Sequence, residues 1–534
     1  MTFFKQNLGI IYLLMFATVI LFVNLSAWGV TETSEARYAE IGREMINSGD
    51  YVHPKLLGIG HYHKPPVTYW ITALSYDIFG VNVFAARFFL QVAVLIQVLL
   101  IYIIGLRLFK NRKTALFAAA IYFSFPAVII GSRALTTDTY LTTLVLAVIV
   151  SWMSYREKYN LWALFAFYVL LGIGFLDKGP VIFIVPIVFV VAYNRLVQAE
   201  YKSWKYHSLG IFLMLAISFS WFVVLYKEDH AFADYFIFKH TIDRFATNTF
   251  GRKQPFWFYL VIVPLTSFPW AFIVLRALKR LKQKAYSVDS VLLIWIFLPL
   301  IFFSLSTSKL ILYVLPIYGG IALLAAHSWE RVKNKLRWDA GFLIFTGIVV
   351  LALGLMPLFD HSLVYGFLWF CSIGLLMMVS ITLYVRMKSK SPDRLLIYLS
   401  VVFTSSLTVL ASIFFHNNPA KVHDQRNVAA FIKDIPDVEK IYVYNERLPS
   451  LAFNLDRSII SIADGHSDLD REIQFERNQK WESLLIKPWD LQPADVEQSV
   501  FVAKVNHGIN EYFKDSFVAA YQNSHVVDGW VIYY

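Results

Sequence analysis

Apolar segments of about 20 residues, long enough to cross a bilayer as a helix, recur from residue 8 to residue 415. About thirteen can be placed, near 8–30, 83–106, 114–131, 137–153, 159–176, 180–195, 207–226, 257–276, 288–306, 310–327, 339–357, 363–385 and 394–415. A soluble multidomain chain has no use for so many. Composition agrees. Charged residues make up 16% of the chain, against roughly 25% in an ordinary soluble domain. The first run, 8–30, has no A-x-A cleavage site and is followed by many similar runs, so it is expected to stay as the first transmembrane helix. The net charge is +11. In a membrane protein that excess belongs in cytoplasmic loops and does not call for nucleic acid. The single cysteine, Cys371, lies in an apolar run and cannot form an internal disulfide.

The links between runs alternate in character. One set reads RLFKNRK (107–113), YREKYN (155–160), NRLVQAEYKSWK (194–205), RALKRLKQK (276–284), ERVKNKLR (330–337) and RMKSKSPDR (386–394). Every member is basic, which places the set in the cytoplasm. The other set then faces outward: 31–82, a short loop near 131–137, 177–179, 227–256, 307–309, 358–362 and everything after about 416. It is richer in acids, His, Tyr and Trp, and two members are long. The expected protein is a multi-pass membrane protein with a cytoplasmic N-terminus and its chemistry on the outer side, in a bacterium the periplasm.

From about 417 the composition shifts. Short apolar runs such as KIYVYN, RSIISIA, SVFVAKV and HVVDGWVIYY alternate with charge, and QRNVAAFIKDI reads as a helix. This predicts a small α/β domain outside the membrane. It holds no GxGxxG and no Walker A motif, so a packing or lid role is expected rather than a nucleotide site. The division drawn from sequence is a transmembrane catalytic part, 1–416, with loops 31–82 and 227–256, and a periplasmic α/β domain, 417–534.

The first outward loop carries the most chemistry. SEARYAEIGREMINSG predicts a helix that starts after Thr/Ser caps and ends at Gly49. Its apolar residues recur at roughly helical spacing, which suits an interfacial helix with its polar side exposed. A second interfacial helix is expected to begin in KPPVTYWITALSYDIFG, with Pro65 and Pro66 near its first turn. Arg37, His63 and Lys64 thus fall on two neighbouring elements at one membrane surface. The FKHTIDRF stretch of loop 227–256 adds His240 and Arg244, one helical turn apart. Cations and metal-capable groups gathered near a bilayer are what a phosphate at the end of a lipid chain requires. Aromatic anchoring to headgroups is the plainer alternative.

These motifs carry a resemblance. ARYAEIGREMINSGDYVHPKLLG, HYHKPPVTYW and FGVNVFAARF, followed in order by SRALTTDTYL, GFLDKGPV, FKHTIDRF and SLSTSKLILYVLPIY, resemble the aminoarabinose transferase and protein mannosyltransferase-like glycosyltransferases. The resemblance covers the whole membrane part and is weakest in the tail. It implies an all-α GT-C fold of about 13 transmembrane helices and a polyprenyl-phosphate sugar donor. Residue by residue, Arg37 and Tyr38 match the family's Arg-Tyr pair. Lys64 matches a lysine on the lipid phosphate, and His240 a histidine that binds a divalent metal. Arg244 lies close to an arginine near the donor phosphate. Asp138 matches an acid of the second outward loop, Lys178 the lysine of a Thr/Asp-Lys-Gly motif, and Tyr313 a tyrosine near the substrate cavity. Two positions depart. Ser34 stands where the family usually has aspartate, and His63 where members often have a metal-binding glutamate.

The implied reaction breaks the bond between an anomeric carbon and a polyprenyl phosphate. Lys64, Arg37 and Arg244 would take up the charge on the departing phosphate. Attack from the opposite face predicts inversion. A lipid A phosphate acceptor is already anionic and needs little base help, whereas a protein or glycan hydroxyl would need a carboxylate, with Glu35, Glu32 and Asp138 as the candidates. His63 and His240 form the candidate metal pair, and imidazoles suit Zn better than Mg. For Asp138 and Lys178 the plainer reading is a charge at a helix end. Rival functions are a protein O-mannosyltransferase-like or surface-glycan transferase, a transporter, and a lipid-binding scaffold. A transporter would carry ionisable residues in mid-helix or inverted repeats, and here the charges sit mainly at loop ends.

Overall fold

A computed structural model describes residues 2–32, 34–198, 204–228, 230, 254–278, 287–465, 479–506 and 508–534. Packing divides the chain into two units, Met1–Leu25 with Arg87–Ile413, and Ser26–Ala86 with Phe414–Tyr534.

The first unit is helical. Each of the thirteen expected apolar runs is helical over most of its length. Among the described residues, eight helices are long and apolar enough to cross a membrane, or ten if two bent pairs count as single spans. The bends sit at prolines, which break the helix ladder and push the preceding residue out of helical geometry. Arg112–Phe123 and Pro126–Arg133 meet at 56°, and Phe258–Thr266 and Trp270–Leu278 at 117°. The first helix, Thr2–Phe22, is closed by two buried arginines. Arg133 donates to the carbonyls of Val23 (2.7 Å) and Asn24 (3.1 Å), and Arg87 to that of Leu25 (3.0 Å). These are carbonyls that a helix end leaves without partners.

The second unit joins the first loop to the tail. The loop supplies the helices Ser34–Ser48 and Val67–Phe79, at the expected places, with a two-stranded hairpin between them, β1 (Lys55–Leu56) and β2 (Ile59–Gly60). The tail supplies a six-stranded mixed sheet from β3 (Lys440–Tyr444), β4 (Ile460–Ile462), β5 (Leu485–Ile486), β6 (Ser499–Lys504), β7 (Ser524–Val527) and β8 (Trp530–Tyr533), in the order β5-β4-β3-β6-β8-β7. β3 is parallel to β4 and β6, and β8 is antiparallel to β6 and β7. Alternate strand residues face opposite ways. Ile441 and Val443 therefore join one core with Val428, Ile432 and Leu451, while Tyr442 and Tyr444 join another with Phe513 and Phe517. Five of the six strands were visible in the four apolar runs, since HVVDGWVIYY holds both β7 and β8. β5, two residues long, left no signal.

Two sequence expectations change here. By packing, loop 31–82 falls with the tail, since Ile41, Met45, Leu56, Leu57, Tyr69 and Ala73 share a core with Val428, Ile432 and Val443. The polar side of helix Ser34–Ser48 is also not exposed. Glu35, Glu40 and Arg43 are buried. Arg43 grips Glu40 at 2.6 Å and Asp456 of the tail at 3.0 Å. A helix that looks like a surface anchor in sequence is thus packed within a folded unit, its charges matched internally. The same linkage recurs at Gly29, whose N–H donates to Asp424 at 2.6 Å. Asp424 is itself buried and bound by Arg426. A Cβ on Gly29 would lie 2.2 Å from the Asp424 carboxylate, so this close approach requires glycine.

Candidate active site

The candidate residues form two groups, one in each unit. In the first unit, helix Thr137–Lys158 carries Asp138 in its first turn, and helix Leu161–Lys178 ends on Lys178. Each charge suits its end of the helix macrodipole. The helices are joined by two residues, Tyr159 and Asn160, and the Asn160 side chain caps the second by accepting from the Ala163 N–H. A link this short makes them antiparallel neighbours, so the start of one lies beside the end of the other. Asp138 and Lys178 accordingly form a direct ion pair, each side chain only 7% exposed. Gly179, at φ +80° and ψ −154°, stops the helix just after Lys178 in a conformation open almost only to glycine. The Lys178 ammonium lies 4.6 Å from the centre of the Tyr313 ring, a cation–π distance. Three residues picked from separate motifs therefore meet at one point.

Sequence reasoning missed what supports Tyr313. Buried Lys309 donates to the Gln254 carbonyl at 3.0 Å and to that of Ser306, and the Tyr259 hydroxyl donates to the Leu310 carbonyl at 3.0 Å. These bonds tie 254–259 to the turn Ile311–Val314 that carries Tyr313. Burial pulls the Lys309 ammonium below its usual range. The only signal for this was the SLSTSKLILYVLPIY motif, read for its tyrosine.

In the second unit the chain from Gly49 to Pro66 is tightly ordered. Asp50 accepts from the N–H groups of Val52 (3.1 Å) and His53 (3.0 Å) and from the His53 ring. Burial raises this carboxyl, but those bonds outweigh it and hold the group below the usual range. The Trp70 indole donates to the Tyr51 carbonyl at 2.7 Å, and His61 N–H to the Pro54 carbonyl at 2.8 Å. His63 and Lys64 then follow, half-buried, and helix Val67–Phe79 begins immediately after Pro65 and Pro66. Arg37 and Tyr38 sit half-buried in the first turn of Ser34–Ser48, and the Tyr38 ring lies 5.2 Å from that of Tyr69.

The acids are engaged. Glu35 accepts from both the N–H and the hydroxyl of Thr31, each at 3.0 Å. Glu32 accepts from the Ser450 N–H at 2.8 Å, in the first turn of the tail helix Pro449–Leu455. Burial pushes Glu32 up to about 7, against the pull of Ser450 and of Arg37. Glu44 is pushed up to about 7 by burial and by Glu40.

His240 and Arg244 lie outside the described residues. Among the described residues no three His, Cys, Asp or Glu side chains are grouped to hold a metal ion. His63 has an imidazole neighbour, His61, to which the sequence reading gave no role. The His61 and His63 rings stand 3.9 Å apart, centre to centre. Imidazole nitrogens suit Zn better than Mg, but this ring pair alone is not a ligand set among the described residues.

Known proteins bear on this arrangement. The dolichyl-phosphate-mannose-protein mannosyltransferase family model matches residues 63–222, a stretch that opens on His63 and Lys64 and includes Asp138 and Lys178. The chain is 32% identical over 348 residues to the undecaprenyl phosphate-alpha-4-amino-4-deoxy-L-arabinose arabinosyl transferase of Aeromonas hydrophila, covering 62% of this chain and 63% of that one. It is 27% identical over 496 residues to the transferase of the same name from Erwinia tasmaniensis, 86% of each. The crystal structure of ArnT from Cupriavidus metallidurans bound to undecaprenyl phosphate superposes with a TM-score of 0.81 at 19% identity, over 99% of this chain and 98% of that one. The fold is therefore that of a GT-C multi-pass membrane protein. In sequence the chain is similar to aminoarabinose transferases, and over residues 63–222 to the protein mannosyltransferases.

Proposed function

We propose that this protein is an inverting glycosyltransferase of the bacterial inner membrane. It moves a sugar, 4-amino-4-deoxy-L-arabinose, from undecaprenyl phosphate to a phosphate of lipid A on the periplasmic side. The donor follows from the arabinosyl transferases it resembles over most of their length. The orientation follows from the basic loops, with the N-terminus cytoplasmic and the tail periplasmic.

The observation that carries the acceptor is the state of the carboxylates. Asp138 is ion-paired with Lys178, Glu35 is held by Thr31, and Glu32 caps the Ser450 N–H. A hydroxyl acceptor would need one of them as a base, whereas an acceptor phosphate is already anionic. Ser34 in place of the family's aspartate points the same way. In this mechanism Lys64 and Arg37 hold the departing phosphate by charge-assisted hydrogen bonds as negative charge builds on it. Arg244 is assigned the same role from the family motif. Asp138 orients Lys178, and the Tyr313 ring beneath the ammonium limits its travel. The acceptor attacks the anomeric carbon from the opposite face, which inverts it.

A Zn ion held by His63, with His240 as the expected second donor, would further offset the phosphate charge. Elemental analysis of active protein should find it, and should not after His63→Ala with His240→Ala. Active wild-type protein free of metal removes the Zn proposal.

Mass spectrometry of lipid A from cells with and without the gene tests the function. A gene-dependent aminoarabinose mass on a lipid A phosphate is expected. An unchanged lipid A profile moves the acceptor to protein or glycan.

A further inference from the structure

Apart from the candidate site, the first unit holds a groove of about 770 Å³ between helices Thr2–Phe22, Arg112–Phe123 and Pro392–Asn417. That volume falls in the range of small-ligand sites, roughly 300–1,000 Å³. Its long wall is apolar, built from residues such as Leu13, Phe16, Leu116 and Val401. Phe16 is 40% exposed and Tyr12 64%. Its rim carries Arg112 and Lys113 from the first turn of one helix and Arg394 from the first turn of another. Both turns add the positive end of a helix dipole. The nearby acid, Asp393, is engaged by lysines rather than by Arg394, shared between Lys113 at 2.9 Å and Lys335 at 2.5 Å. Arg394 is left with no acidic partner among the described residues, and Arg112 is exposed.

An apolar slot opening to the membrane and rimmed by cations matches a lipid whose headgroup carries one negative phosphate. Basic pockets between helices on the cytoplasmic side are where anionic lipid headgroups are held. We propose that this groove binds an anionic phospholipid of the cytoplasmic leaflet, with one acyl chain along Leu13, Phe16 and Val401 and the phosphate between Arg112 and Arg394. The choice of leaflet rests on the orientation proposed above. The binding itself does not.

The test uses full-length protein in nanodiscs of equal phosphatidylglycerol and phosphatidylcholine, with retained lipids counted by native mass spectrometry after mild detergent release. Both leaflets carry the same lipids, so the result reads the groove whatever the orientation. Wild-type protein is expected to retain phosphatidylglycerol over phosphatidylcholine, and Arg112→Gln/Arg394→Gln to lose roughly tenfold of that preference. Its melting temperature in pure phosphatidylcholine discs should be unchanged. If that variant does not fold, wild-type protein serves, because a preference made by exposed cations falls as salt rises. Equal retention of both lipids by wild-type protein overturns the proposal, leaving only non-selective lipid around the helices. So does a preference that survives the double substitution, or one indifferent to salt. Displacement of phosphatidylglycerol by trace undecaprenyl phosphate also overturns it, assigning the groove to the donor lipid.

Discussion

At the scale of single residues, the Asp138–Lys178 pair is the most consequential contact. Two nearly buried charges cost several kcal/mol each to desolvate, and only their mutual attraction offsets this. Removing one partner leaves the other stranded. Asp138→Asn should therefore lower stability by about 3–5 kcal/mol. Adding Lys178→Met should restore most of that loss while leaving transfer abolished. A thermal melt of the three variants checks it; if the double variant is no more stable than Asp138→Asn, the pair is not what holds these helix ends. Glu32 makes a pH prediction. Its folded value of about 7 lies above the ordinary 4.5. Between the two, the folded state keeps a proton that the unfolded chain has released. Its stability contribution is thus complete below about 4.5 and lost as pH rises through about 7. Melting temperature against pH should fall over this window, and Glu32→Gln should flatten the slope. Glu44 shifts the same way, so the slope should shrink without vanishing. A slope identical in the variant contradicts the account. Lys64 and Arg37 stood out in the sequence by their place in the first loop, while Asp138, Lys178 and Tyr313 were singled out through the family resemblance. The Asp138–Lys178 contact follows from the two-residue link between their helices, whereas the approach of Tyr313 was not legible because it depends on how a segment far along the chain packs against them.

At the scale of elements, the helices around the site were easy to read and their endings were informative. Pro65 and Pro66 mark the start of Val67–Phe79, and Gly179 marks the end of Leu161–Lys178. Gly179 does more than end a helix, because its conformation fixes where Lys178 stops. Gly179→Ala should cost about 1–3 kcal/mol in strain. It should also lower activity more than an alanine at the exposed Gly341, where a Cβ meets nothing within 4 Å. Equal effects in melting and transfer assays would remove the positioning role. Where element reading failed, burial was the cause. Helix Ser34–Ser48 has the pattern of a surface helix, yet the tail helix Pro449–Leu455 covers it and Asp456 meets Arg43. Periodicity reports which side of a helix is apolar. It does not report that a matched acid will arrive from more than 400 residues later to bury the polar side.

At the scale of the whole molecule, charge alternation and apolar length were enough to define a multi-pass membrane protein with a small α/β tail. The membership of loop 31–82 was not visible, since composition groups neighbours in sequence while packing groups partners in space. The consequence is functional. Lys64 and Arg37 stand on a loop whose core is completed by the tail, so in the proposed mechanism the tail's part is to hold these two cations in place. The central claim is bond-breaking transfer that depends on those cations. It is tested most directly by incubating purified protein with undecaprenyl phosphate carrying radiolabelled aminoarabinose and with lipid A in vesicles. The account predicts label moving to lipid A with wild-type protein, and a loss of about a hundredfold or more with Lys64→Ala. Label crossing the vesicle membrane still attached to its lipid, or transfer untouched by Lys64→Ala, would contradict it.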